Sequence, residues 1–209
     1  MMHNLIVLWF NWISDAGYPG IIASMAAESS IIPLPSEVVI PPAAYWAAQG
    51  KFDIWLVILA GTVGSYIGAT IMYWVSRWLG RPLVLRYGKY VMVSPEKLAQ
   101  AETFLARFHT GGVFFARLLP VVRHLIGIPA GIVRTPFGVY SAVTILGSGL
   151  WCTVLAFFGR SVLGDHPNLL KDPTEMVHAL KGELKPILAG IIVLLLAYVG
   201  VMFMTRKKA

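Results

Sequence analysis

The chain has 209 residues, 57% of them hydrophobic and 13% charged, proportions that exclude an ordinary soluble domain and define an integral membrane protein. The formal net charge of +7 belongs, in such a protein, to cytoplasmic loops and anionic headgroups rather than to nucleic acid, and no RNP, helix-turn-helix or zinc-finger pattern argues otherwise. Cys152 is the one cysteine and lies in an apolar run, which excludes an intrachain disulfide.

In chain order, residues 1–16 are aromatic and apolar with no Lys or Arg. They lack the basic start of a signal peptide and are read as mature sequence forming an interfacial or membrane helix. Residues 17–50 are apolar but carry Glu28, Glu37 and prolines at 33, 35, 41 and 42. Proline removes a backbone donor and breaks the helical ladder, so Pro33 and Pro35 mark a sharp turn between two half-helices, a re-entrant hairpin. Residues 53–79 contain a charge-free apolar run at 54–76, long enough to span a bilayer.

Residues 80–110 form a basic segment with an amphipathic helix at 95–108, opened by Ser94 as N-cap and Pro95 at the first helical position. Residues 111–135 repeat the hairpin plan, interrupted by Pro120 and Pro129 and carrying Arg117 and Arg123. A second spanning helix covers 136–163, an external loop 164–185, and a third span 186–205. All of it reads as one membrane domain, 1–209.

The order of elements therefore recurs: a short helix, a glycine, a proline-broken hairpin and a long span. If each unit crosses the membrane once, the second is inverted relative to the first, the architecture of many secondary transporters. Orientation follows from charge. Residues 77–110 hold six Lys/Arg against two Glu, and residues 160–185 hold four against four acids. The richer loop and the Arg206–Lys207–Lys208 tail are placed in the cytoplasm.

An ionisable residue inside a bilayer costs about 2.5–3.5 kcal/mol on insertion scales and is a functional candidate by default. Glu28, Glu37, Arg117 and Arg123 qualify. The plain structural alternative is that the arginines snorkel to an interface, or that acid and base pair to hold the hairpins together. Functionally, two guanidinium forks suit a phosphate and keep their charge, while two glutamates in a low-dielectric cavity suit proton exchange. On a continuous helix Arg117 and Arg123 lie on different faces, and Pro120 between them permits convergence. His109 and His124 have no second ligand at metal spacing, so no metal or cofactor is expected. Gly64 and Gly68, and Gly127 and Gly131, form GxxxG pairs suited to close helix packing.

At these residues the chain resembles the DedA family of bacterial inner-membrane proteins, related to the VTT-domain lipid scramblases. The resemblance rests on Glu28, the triplet Pro35–Ser36–Glu37, Gly64 and Gly68 followed by Tyr73, the FFAR ending at Arg117, Arg123, and the PAG at 129–131. Many members have glycine and aspartate where this chain has Ser36 and Glu37.

The resemblance implies an all-α membrane fold of two re-entrant hairpins in inverted repeat plus transmembrane helices. It implies essential acidic and basic membrane residues, and recycling of undecaprenyl phosphate across the bacterial inner membrane with the proton motive force as driver. On this reading Arg117 and Arg123 hold the phosphate, Glu28 and Glu37 exchange protons, and the protein is not an enzyme. The C-terminus is cytoplasmic. The expected partners are a lipid and protons, with room for assembly as a homo-oligomer. The competing functions are a proton-coupled carrier of small ions or solutes, a phospholipid scramblase and, less favoured, a lipid phosphatase.

Overall fold

Two stretches of apolar, charge-free sequence set the frame of the molecule. In the computed structural model they form most of the long helices Ile54–Gly80 and Phe137–Leu163, each of 27 residues, about 40 Å at 1.5 Å per residue and so long enough to cross a hydrocarbon core of about 30 Å. The described residues are 2–30, 35–87, 99, 103, 105, 111–118, 123 and 125–164. Pro33, Pro120, His109 and His124 lie outside them, as do most of the amphipathic segment and everything predicted beyond residue 164. The described residues fall within one compact unit, 1–164, and among them there are helices and turns but no strand.

Helix α1 (Met2–Glu28) is two helices joined at Gly17, whose φ of 63° only glycine adopts without strain. Pro19 follows in the first turn of the second half, where a missing N–H costs little. After the break that contains Pro35, the 3-10 turn Ser36–Val38 leads into α2 (Ile40–Ala48), which carries Pro41 and Pro42 at its first positions. Helix α3 (Ile54–Tyr87) is capped by Asp53, whose carboxylate accepts the backbone N–H groups of Trp55 (2.8 Å) and Leu56 (3.0 Å). A second glycine kink, at Gly80 (φ 67°), separates its spanning part from residues 81–87. Residues 111–117 form α4, followed by α5 (Gly127–Ile132) and α6 (Phe137–Leu163).

The two short helices end alike. Lys51 N–H donates to the Trp46 carbonyl (2.9 Å) around Gly50, and Thr135 N–H donates to the Ala130 carbonyl (3.0 Å) around Arg134. Gly50 and Arg134 both have positive φ, 77° and 54°, the left-handed residue of a Schellman-type stop. In each case a long span follows within a few residues.

Packing is reciprocal: α2 lies on α6, α5 lies on α3, and α3 and α6 lie on each other. Glycines make the closest approaches possible. A Cβ at Gly64 in α3 would lie 2.8 Å from Met25 Cβ in α1, and one at Gly147 in α6 would lie 2.7 Å from Arg117 Cβ in α4. Gly64 and Gly147 are the eleventh residues of their spans, so equivalent positions receive equivalent neighbours. Gly127 and Gly131 of α5 likewise sit against α3, where an added Cβ would come within 3.4 Å of Met72 Cβ and 3.0 Å of Ser76 Cβ. A buried cluster including Ala69, Tyr73, Val113, Ala116, Ile126 and Tyr140 fills this junction.

The opposite faces are apolar and open. Leu56, Leu59, Val63, Ile67 and Ile71 are exposed along α3, and Val139, Leu146, Leu150, Val154 and Phe157 along α6. These recur at spacings of three, four or seven residues, one face of a helix, and make continuous stripes. Stripes of this size would promote aggregation in water and are matched by lipid tails in a bilayer.

Candidate functional site

The polar side chains that a bilayer would exclude gather on the inward faces of these helices. Glu28 is the last residue of α1, where the negative end of the helix dipole disfavours a carboxylate. Arg123, in the turn region between α4 and α5, compensates it: its Nη2 donates to Glu28 Oε2 at 3.1 Å, and the two side chains are 2% and 4% exposed. The Arg123 guanidinium also lies over the Trp151 ring of α6, 5.6 Å from its centroid, a cation–π contact strengthened by the dry surroundings.

Arg117 does a different job. Its Nη1 donates to the backbone carbonyl of Arg123 (2.8 Å) and its Nη2 to the Tyr140 hydroxyl (2.9 Å). Tyr140 in turn donates to the Ala69 carbonyl of α3 (3.0 Å). Arg117 therefore fixes the chain segment that presents Arg123. Each arginine keeps a buried donor with no partner among the described residues, Nε of Arg117 and Nη1 of Arg123. Buried guanidinium N–H groups are seldom left unpaired, which makes these two donors candidates for a further acceptor.

The predicted acids part company. Glu28 is buried against Arg123, whereas Glu37 is exposed in the 3-10 turn, with Ser36 Oγ donating to its Oε2 at 3.4 Å. Ser36 accepts the indole N–H of Trp151 (3.1 Å), so Glu37 is linked through Ser36 and Trp151 to the ring over which Arg123 lies. Of the predicted turn prolines, Pro35 has extended backbone just before the 3-10 turn, and Pro129 is buried in the first turn of α5.

Several residues of this cluster escape a reading of the sequence. Ser29 donates to Glu28 Oε2 (3.1 Å), Ser29 Oγ lies 2.8 Å from Ser65 Oγ, and Ser65 Oγ lies 3.2 Å from Ser148 Oγ. The signal that could have found part of it is a run of polar residues every fourth position on α6, Tyr140, Thr144, Ser148 and Cys152, all buried. Among the described residues no three His, Cys, Asp or Glu side chains cluster as metal ligands.

Buried charges enclosed by helices that turn apolar stripes outward define an integral membrane protein. Residues 34–161 match the family model described as the VTT domain. The chain is 34% identical over 158 residues to "Undecaprenyl phosphate transporter A" of Bacillus subtilis, covering 76% of this chain and 78% of that one. It is 24% identical over 201 residues to the protein of the same name from Staphylococcus aureus, covering 94% and 95%. It is also 31% identical over 170 residues to an "Alkaline phosphatase-like protein" of Lactococcus lactis, covering 79% and 78%. No solved structure matches. The chain belongs to the VTT-domain family of membrane proteins, in agreement with the DedA resemblance of its motifs.

Proposed function

We propose that this protein is a bacterial inner-membrane transporter of an anionic polyprenyl lipid, undecaprenyl phosphate, driven by protons. The observation that carries the reading is the pair of buried arginines, each with an unspent N–H, beside a buried carboxylate. A phosphate offers the several oxygens needed to take both donors, and when it takes the free Nη1 of Arg123 the single guanidinium charge faces two anions, leaving the Glu28 carboxylate without a full counter-ion. A buried carboxylate without a partner is too costly to keep, so phosphate binding and protonation of Glu28 go together. Proton and lipid are thereby coupled with Glu28 as the exchanging acid, while the exposed Glu37 delivers or collects protons at the rim. The names of the Bacillus subtilis and Staphylococcus aureus relatives support the substrate.

The alternation of access rests on an inverted repeat. Its support is the reciprocal packing of α2 on α6 and α5 on α3, the shared helix stops at Gly50 and Arg134, and Ser65 meeting Ser148, each the twelfth residue of its span. The two hairpins are read as re-entrant, the C-terminus as cytoplasmic and the lipid tail as remaining in the bilayer.

The test is translocation of undecaprenyl phosphate in proteoliposomes with and without an imposed pH gradient. Wild type is expected to move the lipid faster with the gradient. Arg123→Lys, which keeps the charge but loses the fork, is expected to slow movement by about tenfold or more, one lost charge-assisted bond being worth roughly 1.5–3 kcal/mol. Lipid movement at the wild-type rate in both Arg123→Lys and Arg117→Lys would refute the reading. Release of free phosphate from a polyprenyl diphosphate by the purified protein would favour the phosphatase suggested by the Lactococcus lactis relative's name. Displacement of bound lipid by small anions would favour an ion carrier.

A further inference from the structure

Glu28 is buried, and the reading above requires it to gain and lose a proton; the present inference rests on that requirement. A route is built from three serines on three different elements. Ser29 follows α1, Ser65 lies in α3 and Ser148 in α6, and the three residues are 0%, 0% and 2% exposed. Their oxygens stand in sequence from Glu28 Oε2: 3.1 Å to Ser29, 2.8 Å to Ser65 and 3.2 Å to Ser148. Alanine would serve close helix packing as well as serine does, without burying a hydroxyl.

The chain has a fixed polarity. An ionised carboxylate only accepts, and a hydroxyl has one proton to give. Ser29 spends its proton on Glu28, so Ser65 must donate to Ser29 and Ser148 to Ser65. Every O–H thus points towards the carboxylate, leaving Ser148 with acceptor capacity at the far end. One helical turn earlier on the same face of α6 is Thr144, fully buried, whose Oγ1 has no partner among the described residues, and a polar group of this kind suits an internal water.

We propose that Ser148, Ser65 and Ser29 form a hydroxyl relay that carries protons between water at the Thr144–Ser148 end and Glu28. A proton from hydronium joins Ser148 Oγ as that oxygen's own proton passes to Ser65. The Ser65 proton passes to Ser29, and the Ser29 proton to Glu28 Oε2. One O–H bond forms for each that breaks, the hydronium becomes water, and the carboxylate becomes a carboxylic acid. All three hydroxyls then point away from Glu28, ready to return the proton by the reverse shift. The charged and titratable groups around this acid are Arg123, Arg117 and Glu37, with the Cys152 thiol of α6 also within electrostatic reach. The serines are positioning residues that act through Glu28.

The test follows Glu28 rather than the lipid. Full-length protein in detergent is subjected to a pH jump and watched by time-resolved infrared spectroscopy, the Glu28 carboxylic-acid band being the one that Glu28→Gln removes. Ser65→Ala and Ser148→Ala are expected to slow the rise of this band by about tenfold or more, the scale on which a positioned proton-transfer partner acts, with its final amplitude unchanged. Ser148→Thr, which restores a hydroxyl, is expected to recover the wild-type rate. The two alanine variants come from different helices, so the test survives poor folding of one. A wild-type rate in either folded alanine variant overturns the relay, as does a Glu28 band that never titrates. If the serines only support packing, amplitude and stability change while the rate does not, which also overturns it. Wild-type lipid movement indifferent to a pH gradient, alongside slowed protonation in the serine variants, supports the relay and refutes proton-driven transport.

Discussion

The carboxylate of Glu28 and the guanidinium of Arg123 lie 95 residues apart in sequence and meet at 3.1 Å in the interior. This pair ties the C-terminus of α1 to the return of the chain between α4 and α5, and it holds together only because each charge removes the desolvation penalty of the other. Exposed pairs such as Lys51 with Asp15 at 3.8 Å have no such consequence, because water screens them.

Removing one partner of the buried pair should therefore cost more than removing both. Arg123→Met is expected to destabilise the protein by about 3–5 kcal/mol by leaving Glu28 buried without its counter-ion, at the cost of an unpaired charge or of taking up a proton, whereas Glu28→Met combined with Arg123→Met is expected to recover most of that loss. Thermal unfolding of the single and double variants in one detergent checks this. A double variant as unstable as the sum of its parts would contradict it.

The two glutamates should separate by stability. Glu37 is exposed and outside the ion pair, so Glu37→Gln is expected to shift unfolding by no more than about 0.5 kcal/mol, the range of ordinary surface substitutions. Glu28→Gln leaves Arg123 without its counter-ion and is expected to cost several times as much. Equal effects in a side-by-side melting experiment would show that Glu37 also joins the buried network.

Glycine substitutions distinguish close approach from open space. An alanine Cβ at Gly147 would press on Arg117 Cβ at 2.7 Å, while at Gly138 nothing lies within 4 Å. Gly147→Ala is expected to lose about 1–3 kcal/mol through overpacking and to weaken lipid movement by displacing Arg117. Gly138→Ala, inside a helix, is expected to gain up to about 1 kcal/mol. Melting temperatures together with proteoliposome transport test both.

Cys152 offers a probe of the α3–α6 contact. It is fully buried, and its sulfur lies 3.0 Å from where a Cβ on Gly61 would stand. Maleimide labelling of the folded protein is expected to be slower than labelling in denaturant by roughly a hundredfold or more, since reaction waits on local opening. Mass spectrometry over time reads the ratio, and Gly61→Leu should abolish the protection.

Much of the frame was legible in the residues. The runs at 54–76 and 136–159 have no charge and cannot be anything but long buried or lipid-facing helices, and they appear as Ile54–Gly80 and Phe137–Leu163. Proline says less about its place: Pro129, expected at a hairpin turn, lies in the first turn of α5, and Pro41 and Pro42 lie in that of α2, where a missing N–H costs little. The partners of the charges were not legible. Arg117 and Arg123 looked alike as two guanidinium groups near a proline, yet one grips backbone and Tyr140 while the other meets Glu28 and Trp151. Glu28 and Glu37 looked alike as two acids, and one is buried while the other is exposed.

Hydropathy, helix breaking and charge are properties of short stretches of chain, so the residues alone were enough to read a helical membrane protein and to single out Glu28, Glu37, Arg117 and Arg123 within apolar segments. Which acid meets which base, and the line from Glu28 through Ser29 and Ser65 to Ser148, emerge only in the folded chain. Apart from Ser29 beside Glu28, those contacts join residues tens of positions apart, and although the GxxxG at Gly64 and Gly68 signals close packing, a local pattern does not say which helix is the partner.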